Sequence, residues 1–113
     1  IIGIDRVNTI FTLKFADFSL VIKGREDLIL TRNRSFIVRT QGGDKRSGGL
    51  GDILSGAISV CSFWNEEYGL PLASQIVRNA TRIAFDKEGR GLTAPSVVKE
   101  LALVVMSIEA ASL

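Results

Sequence analysis

Hydrophobic positions along this chain change their period once, near the middle. Between residues 18 and 40 they come in short, β-branched runs. FSLVIKG closes at Gly24, DLILTRN follows a polar gap, and RSFIVRT comes next. Such runs, bounded by turn residues, predict strands, two of them as a hairpin, with Asn33 and Arg34 marking a turn. After residue 51 the spacing lengthens to three and four. Ile53, Leu54, Ala57, Ile58, Cys61 and Trp64 make one wide stripe, which predicts a helix with Phe63 and Trp64 packed at its end. YGLP at 68–71 interrupts it. Leu72, Ile76, Ala80, Ile83 and Ala84 resume a helix as far as KEGRG at 87–91, where glycine predicts a C-cap. A third helix opens at Thr93 and Pro95, with Val97, Val98, Leu101, Val104, Val105 and Ile108 as its expected buried face. The earlier segment DRVNTIFTLKFA has β-branched content that favours a strand. It nonetheless sets Val7, Ile10, Phe11 and Phe15 on one helical face, and this spacing predicts a helix. Strands, a glycine loop and three helices suit the end of an α/β layered domain, with helices covering a sheet. Three short strands make a small sheet, and more of it is expected upstream.

Composition narrows the chemistry. The 113 residues suffice for one small domain with a core. With 14 basic and 12 acidic residues, a net charge of +2 gives little support to nucleic-acid binding. The absence of histidine removes His-based triads and His metal sites, and no metal-ligating set is predicted. A single cysteine, Cys61, has no internal disulfide partner and suits a reducing compartment. It falls on the buried helical stripe, where packing is favoured over nucleophile or ligand. The longest apolar runs, such as LALVVM at 101–106, are too short for a bilayer span, so no membrane partner is expected. The first residue is not Met, and the sequence reads as a piece of something longer.

The stretch GGDKRSGGLGD at 42–52 concentrates the candidate chemistry. Glycines let a backbone approach a ligand closely. A helix beginning near residue 51 leaves its first N–H groups without intrahelical partners, and with the macrodipole they favour an anion. Lys45 and Arg46 add positive charge, unless they are simply solvated. The stretch lacks the Walker A pattern, and Leu54 stands where a dinucleotide fingerprint needs its third glycine. Asp52, in the first helical turn, is either an ordinary helix-start acid or a base for a hydroxyl attacking a phosphoryl group.

Gly-x-Gly-Asp opening an apolar helix resembles the anion-hole motif of the ribokinase-like superfamily. The longer RSGGLGDILSG is similar to that of the ATP-dependent NAD(P)H-hydrate dehydratases, also called carbohydrate-kinase-domain proteins. VIKGREDLI at 21–29 resembles the family's Lys-Gly strand end with its polar turn and Asp. ATRIAFDKEGRGLTAPSVV at 80–98 resembles its late helices. The likeness covers about residues 18–105. Arg46 and Ser47 before Gly-Gly look like eukaryotic members, which tilts the phosphate donor toward ATP. The resemblance implies the C-terminal portion of a ribokinase-like three-layer α/β/α domain. On that reading residues 1–113 are one part of a single carbohydrate-kinase-like domain whose N-terminal part is absent.

The resemblance also implies site residues. ATP would meet Lys23, Gly24, Arg25, Glu26 and Asp27 at the strand end. It would meet Gly42, Gly43, Asp44, Lys45, Arg46 and Ser47, then Gly48, Gly49, Leu50 and Gly51, along the loop. Asp52 would touch the hydrated nicotinamide and act as the base. Magnesium is expected with ATP. The implied partner is the small molecule NAD(P)HX, self-association is also compatible, and the expected setting is cytoplasmic, with a mitochondrial one open. Beside this stand plainer readings. Lys23 can be a solvated strand-end lysine, and Arg25, Glu26 and Asp27 a polar turn. Two other functions compete: a ribokinase-like kinase of a small hydroxylated metabolite, and an inactive fragment that folds only with a partner chain.

Overall fold

The computed structural model describes residues 19–32, 34–43 and 48–112. The helix expected at 5–16 lies outside the described residues. The chain divides into two compact units, Ile1–Arg39 and Thr40–Leu113.

In the first unit, strands β1 (Leu20–Ile22), β2 (Asp27–Leu30) and β3 (Ser35–Val38) form an antiparallel sheet in sequence order. Val21 pairs with Ile29, and Leu28 pairs with Ile37. Both connections are therefore hairpins. Thr31 closes the second by accepting the Arg34 N–H at 3.1 Å and donating its hydroxyl to the Arg34 carbonyl at 3.0 Å. The central strand carries the burial, since Asp27, Ile29 and Leu30 are all buried. Their positions alternate, so both faces of β2 are covered.

The second unit holds helices α1 (Leu50–Trp64), α2 (Gly69–Glu88) and α3 (Ala94–Ser112), with a 3₁₀ turn at Gly89–Gly91. Asn65 ends α1 and begins α2. Its N–H reaches the Cys61 carbonyl at 2.9 Å, and its side-chain oxygen accepts the N–H groups of Glu67 and Tyr68. Pro71 falls in the first turn of α2, where its missing N–H costs nothing, so the helix starts at Gly69 rather than after the proline. Gly89, at φ +57°, terminates α2 as the glycine run at 87–91 predicts.

Helix α2 packs against both others. Its buried side chains are mostly small: Ala73, Ser74, Ala80, Thr81 and Ala84 beside Ile76 and Val77. One cluster joins Ala80 and Ala84 to Leu92 and Val97, with Leu50 and Ile53 against it. The other joins Ala73 and Ile76 to Cys61. A 2.7 Å pair between Lys87 and the buried Glu100 ties α2 to α3. Four residues expected in the core are exposed. Phe63 is 89% exposed and Trp64 55%, because α2 covers the side of α1 that carries Leu54 and Cys61. Val98 and Ile108 are also exposed, because α3 turns Val97, Leu101 and Val104 toward α2. Mixed α/β content with antiparallel strands preceding helices is consistent with a C-terminal portion of a ribokinase-like domain.

The closest constraint is at Gly69, where a Cβ would stand 2.5 Å from the Cys61 carbonyl oxygen. Gly69→Ala should therefore lose about 1–3 kcal/mol in urea unfolding. Gly56→Ala is the control. Nothing lies within 4 Å of that Cβ, and removing a mid-helix glycine should gain about 0.5–1 kcal/mol. Equal effects at the two positions would contradict the α1–α2 contact described here.

Candidate functional site

The helical unit presents the start of α1 as a polar locus. Gly49 is the residue before the helix, at φ +92°, ψ −8°, a left-handed conformation that β-carbon sterics disfavour. Its carbonyl accepts the first helical hydrogen bond, from the Ile53 N–H at 3.0 Å. A Cβ on Gly49 would also stand 3.2 Å from the Ala94 Cβ, at the beginning of α3. Glycine is thus required there twice, by backbone conformation and by packing. Gly48 and Gly51 differ. Gly51 has no positive φ, and among the described residues nothing lies within 4 Å of a Cβ on Gly48 or Gly51.

Gly49 itself brings no side chain to cap the N-terminus of α1. Asp52, exposed in the first turn, is the acidic residue there. Leu50 packs its side chain into the core, so only its backbone belongs to the polar locus. Upstream, Gly42 and Gly43 lie along α2. Arg78 donates to the Thr40 carbonyl at 3.1 Å, and a Cβ on Gly43 would meet Thr81 and Phe85 at 3.1 Å. Asp44, Lys45, Arg46 and Ser47 lie outside the described residues.

In the sheet unit, Lys23, Gly24 and Asp27 come together in the β1–β2 turn. Asp27 is fully buried. It accepts the Gly24 N–H at 3.2 Å, and Lys23 Nζ lies 3.8 Å from its other oxygen. This carboxylate organises the turn. A Cβ on Gly24 would sit 3.1 Å from the Glu26 carbonyl. Glu26 itself pairs with Arg39 at 3.3 Å, between exposed side chains, a contact that adds little stability. Arg25 is exposed.

The periodicity did not reveal a groove of about 540 Å³ between α1 and α3. It runs from Asp52 past Gly56 and Val60 to Trp64, faced by Val98, Ala102 and Val105. Its signal in the sequence is the row of residues at four-step spacing, 52, 56, 60 and 64, that begins with an acid and continues without charge. Cys61 lines its floor at 3% exposure, and burial pushes its thiol above the ordinary 9.0.

No family model matches the chain. Curated relatives do. A protein of Ixodes scapularis named ATP-dependent (S)-NAD(P)H-hydrate dehydratase is 29% identical over 103 residues, which is 74% of this chain and 34% of that protein. The chain is similar to the ATP-dependent (S)-NAD(P)H-hydrate dehydratases. Relatives so named in Caenorhabditis briggsae (29% identical, 82% of this chain, 34% of the relative) and Rattus norvegicus (30%, 75% and 29%) agree. The chain spans about a third of the length of these relatives.

Two measurements test the local geometry. Gly49→Ala should cost about 1–2 kcal/mol in denaturant unfolding, from the left-handed backbone alone. Cys61 favours its protonated form when folded. Its contribution to stability should be complete below the unfolded thiol value and fall as pH rises through the folded one. Alkylation of native protein near pH 8 should be slow, and urea should speed it. Rapid native alkylation would contradict the burial of Cys61.

Proposed function

We propose that this chain belongs to an enzyme that uses ATP to dehydrate the hydrated nicotinamide ring of NADHX or NADPHX, regenerating NADH or NADPH. The observation that carries this reading is at the start of α1. Gly51 has no positive φ, and among the described residues nothing crowds a Cβ on Gly48 or Gly51, at the start of α1 before Asp52. Glycine in such positions suits the close approach of something outside the fold, and the N–H groups of a helix's first turn, which lack intrahelical acceptors, suit phosphate. The names of the similar proteins supply the nucleotide and the substrate of those proteins.

The chemistry follows from these parts. The ring hydroxyl attacks the γ-phosphorus of ATP, Asp52 accepts the hydroxyl proton, and ADP leaves. The ring then loses a neighbouring C–H proton as the C–O bond breaks. Phosphate departs, and the ring double bond returns. The reaction is a lyase reaction driven by phosphorylation. Helix-end N–H groups in Gly49–Gly51 stabilise charge on the transferring phosphoryl group. On this reading the loop residues 42–47 contribute further ATP contacts in the helical unit; in the sheet unit the exposed Lys23, Gly24, Arg25 and Glu26 are the ATP candidates, with buried Asp27 holding their turn. Among the described residues no three carboxylates or thiols converge as a metal cage. Magnesium would arrive on the ATP phosphates, where it offsets their charge.

The decisive experiment supplies the full chain with hydrated NADH and ATP and follows recovery of dihydronicotinamide absorbance. Asp52→Asn should lower the rate about 10²–10⁴-fold and leave ATP binding within a few-fold. Normal turnover by that variant would overturn the base assignment. Phosphorylation of a different alcohol, without recovered absorbance, would overturn the reaction.

A further inference from the structure

The groove between α1 and α3 belongs to a wider apolar surface of the helical unit. Val60, Phe63 and Trp64 on α1 are exposed, as are Val98 and Met106 on α3. Gly56 and Phe63 are seven residues apart and so share a face of α1, with Val60 between them. The two aromatic rings alone hold out roughly 300 Å². With Val60, Val98 and Met106 the surface reaches about 600 Å², the upper end of what a monomer leaves open and close to one partner's share of a standard interface.

The surface carries both a knob and a hole. Phe63 and Trp64 stand at the end of α1. Gly56, Ala57 and Ala102 line the groove beside them with almost no side chain, and nothing lies within 4 Å of a Cβ on Gly56. A two-fold axis crossing α1 near Val60 sets two copies of the helix antiparallel. It brings Trp64 of each over Gly56 of the other, and Phe63 over Ala57. Charge permits this pairing. Among the described residues lining the groove, Asp52 alone is charged. The axis leaves the two Asp52 carboxylates about 24 Å apart at 1.5 Å per residue, beyond the roughly 8 Å over which exposed charges interact at physiological salt.

We propose that this surface is an isologous interface between two copies of this chain, with Phe63 and Trp64 of each seated in the groove of the other. The proposal is independent of the reaction proposed above, and Asp52 stays at the rim of the interface.

The experiment is sedimentation equilibrium of the full chain across the micromolar range. The wild type should approach twice its 12.3 kDa as concentration rises. Gly56→Leu fills the hole from within the same chain, and Phe63→Asp replaces the knob with a charge. Both positions are exposed, so each variant should keep the wild-type thermal transition, and each should weaken dimerisation at least about tenfold. Should Gly56→Leu fail to fold, Phe63→Asp carries the same test. Ile37→Asp, at an exposed apolar position in the sheet unit, should dimerise as the wild type does. Trp64 is the single tryptophan, so its emission should move to shorter wavelength as the wild type associates and stay fixed in Gly56→Leu. A wild type that remains monomeric overturns the proposal, even where this surface captures a different protein. Equal dimerisation by the wild type, Gly56→Leu and Phe63→Asp overturns it as well, and so does loss of the dimer in Ile37→Asp.

Discussion

The helical unit depends on α2 being thin. Ala73, Ala80 and Ala84 are almost fully buried, and so are Ser74 and Thr81. Small side chains let two other helices approach one axis closely, and the large side chains of those helices then fill the space. Thr81 meets the cost of its own buried hydroxyl by donating to the Val77 carbonyl at 2.7 Å. The same thinness reaches the α1–α2 connection, where Gly69 lies against the Cys61 backbone. It also sets the start of α1. Leu50 and Ile53 pack on the cluster of Ala80, Ala84, Leu92 and Val97. Gly49 is therefore brought against Ala94. The position of the candidate anion site is thus a consequence of packing on α2, not of the glycine loop alone.

Element type was legible in the sequence, and burial less so. Short β-branched runs gave three strands, and three- and four-step spacing gave three helices, because each period reports the backbone geometry that produces it. The start of α2 was misplaced because proline is read as a breaker, yet its fixed φ suits a first turn. Burial is a property of neighbours. A stripe shows which residues can be covered, not which helix covers them. Trp64, Phe63 and Val98 are apolar and correctly spaced, but the faces of α1 and α3 that carry them turn away from α2. The groove from Asp52 to Trp64 is the direct result: the four-step row on α1 marks one wall, and the other comes from α3, which that row does not specify.

The glycine-rich stretch illustrates the same limit within the site. In the sequence Gly42, Gly43, Gly48, Gly49 and Gly51 form one cluster with one apparent meaning. In the structure they divide. Gly43 is set by contact with α2, and Gly49 by positive φ and by Ala94. These two would be glycine in a protein that bound nothing. Among the described residues nothing lies within 4 Å of a Cβ at Gly48 or Gly51. Alanine at Gly51 would favour the helix it sits in. Keeping glycine there forgoes about 0.5–1 kcal/mol of local stability. On the proposed reading a phosphate seated on the N–H groups of the first turn makes use of that concession. On the same reading Asp52, exposed in that turn, stands beside the transferring group, on a helix whose origin is fixed by the packing of Leu50 and Ile53.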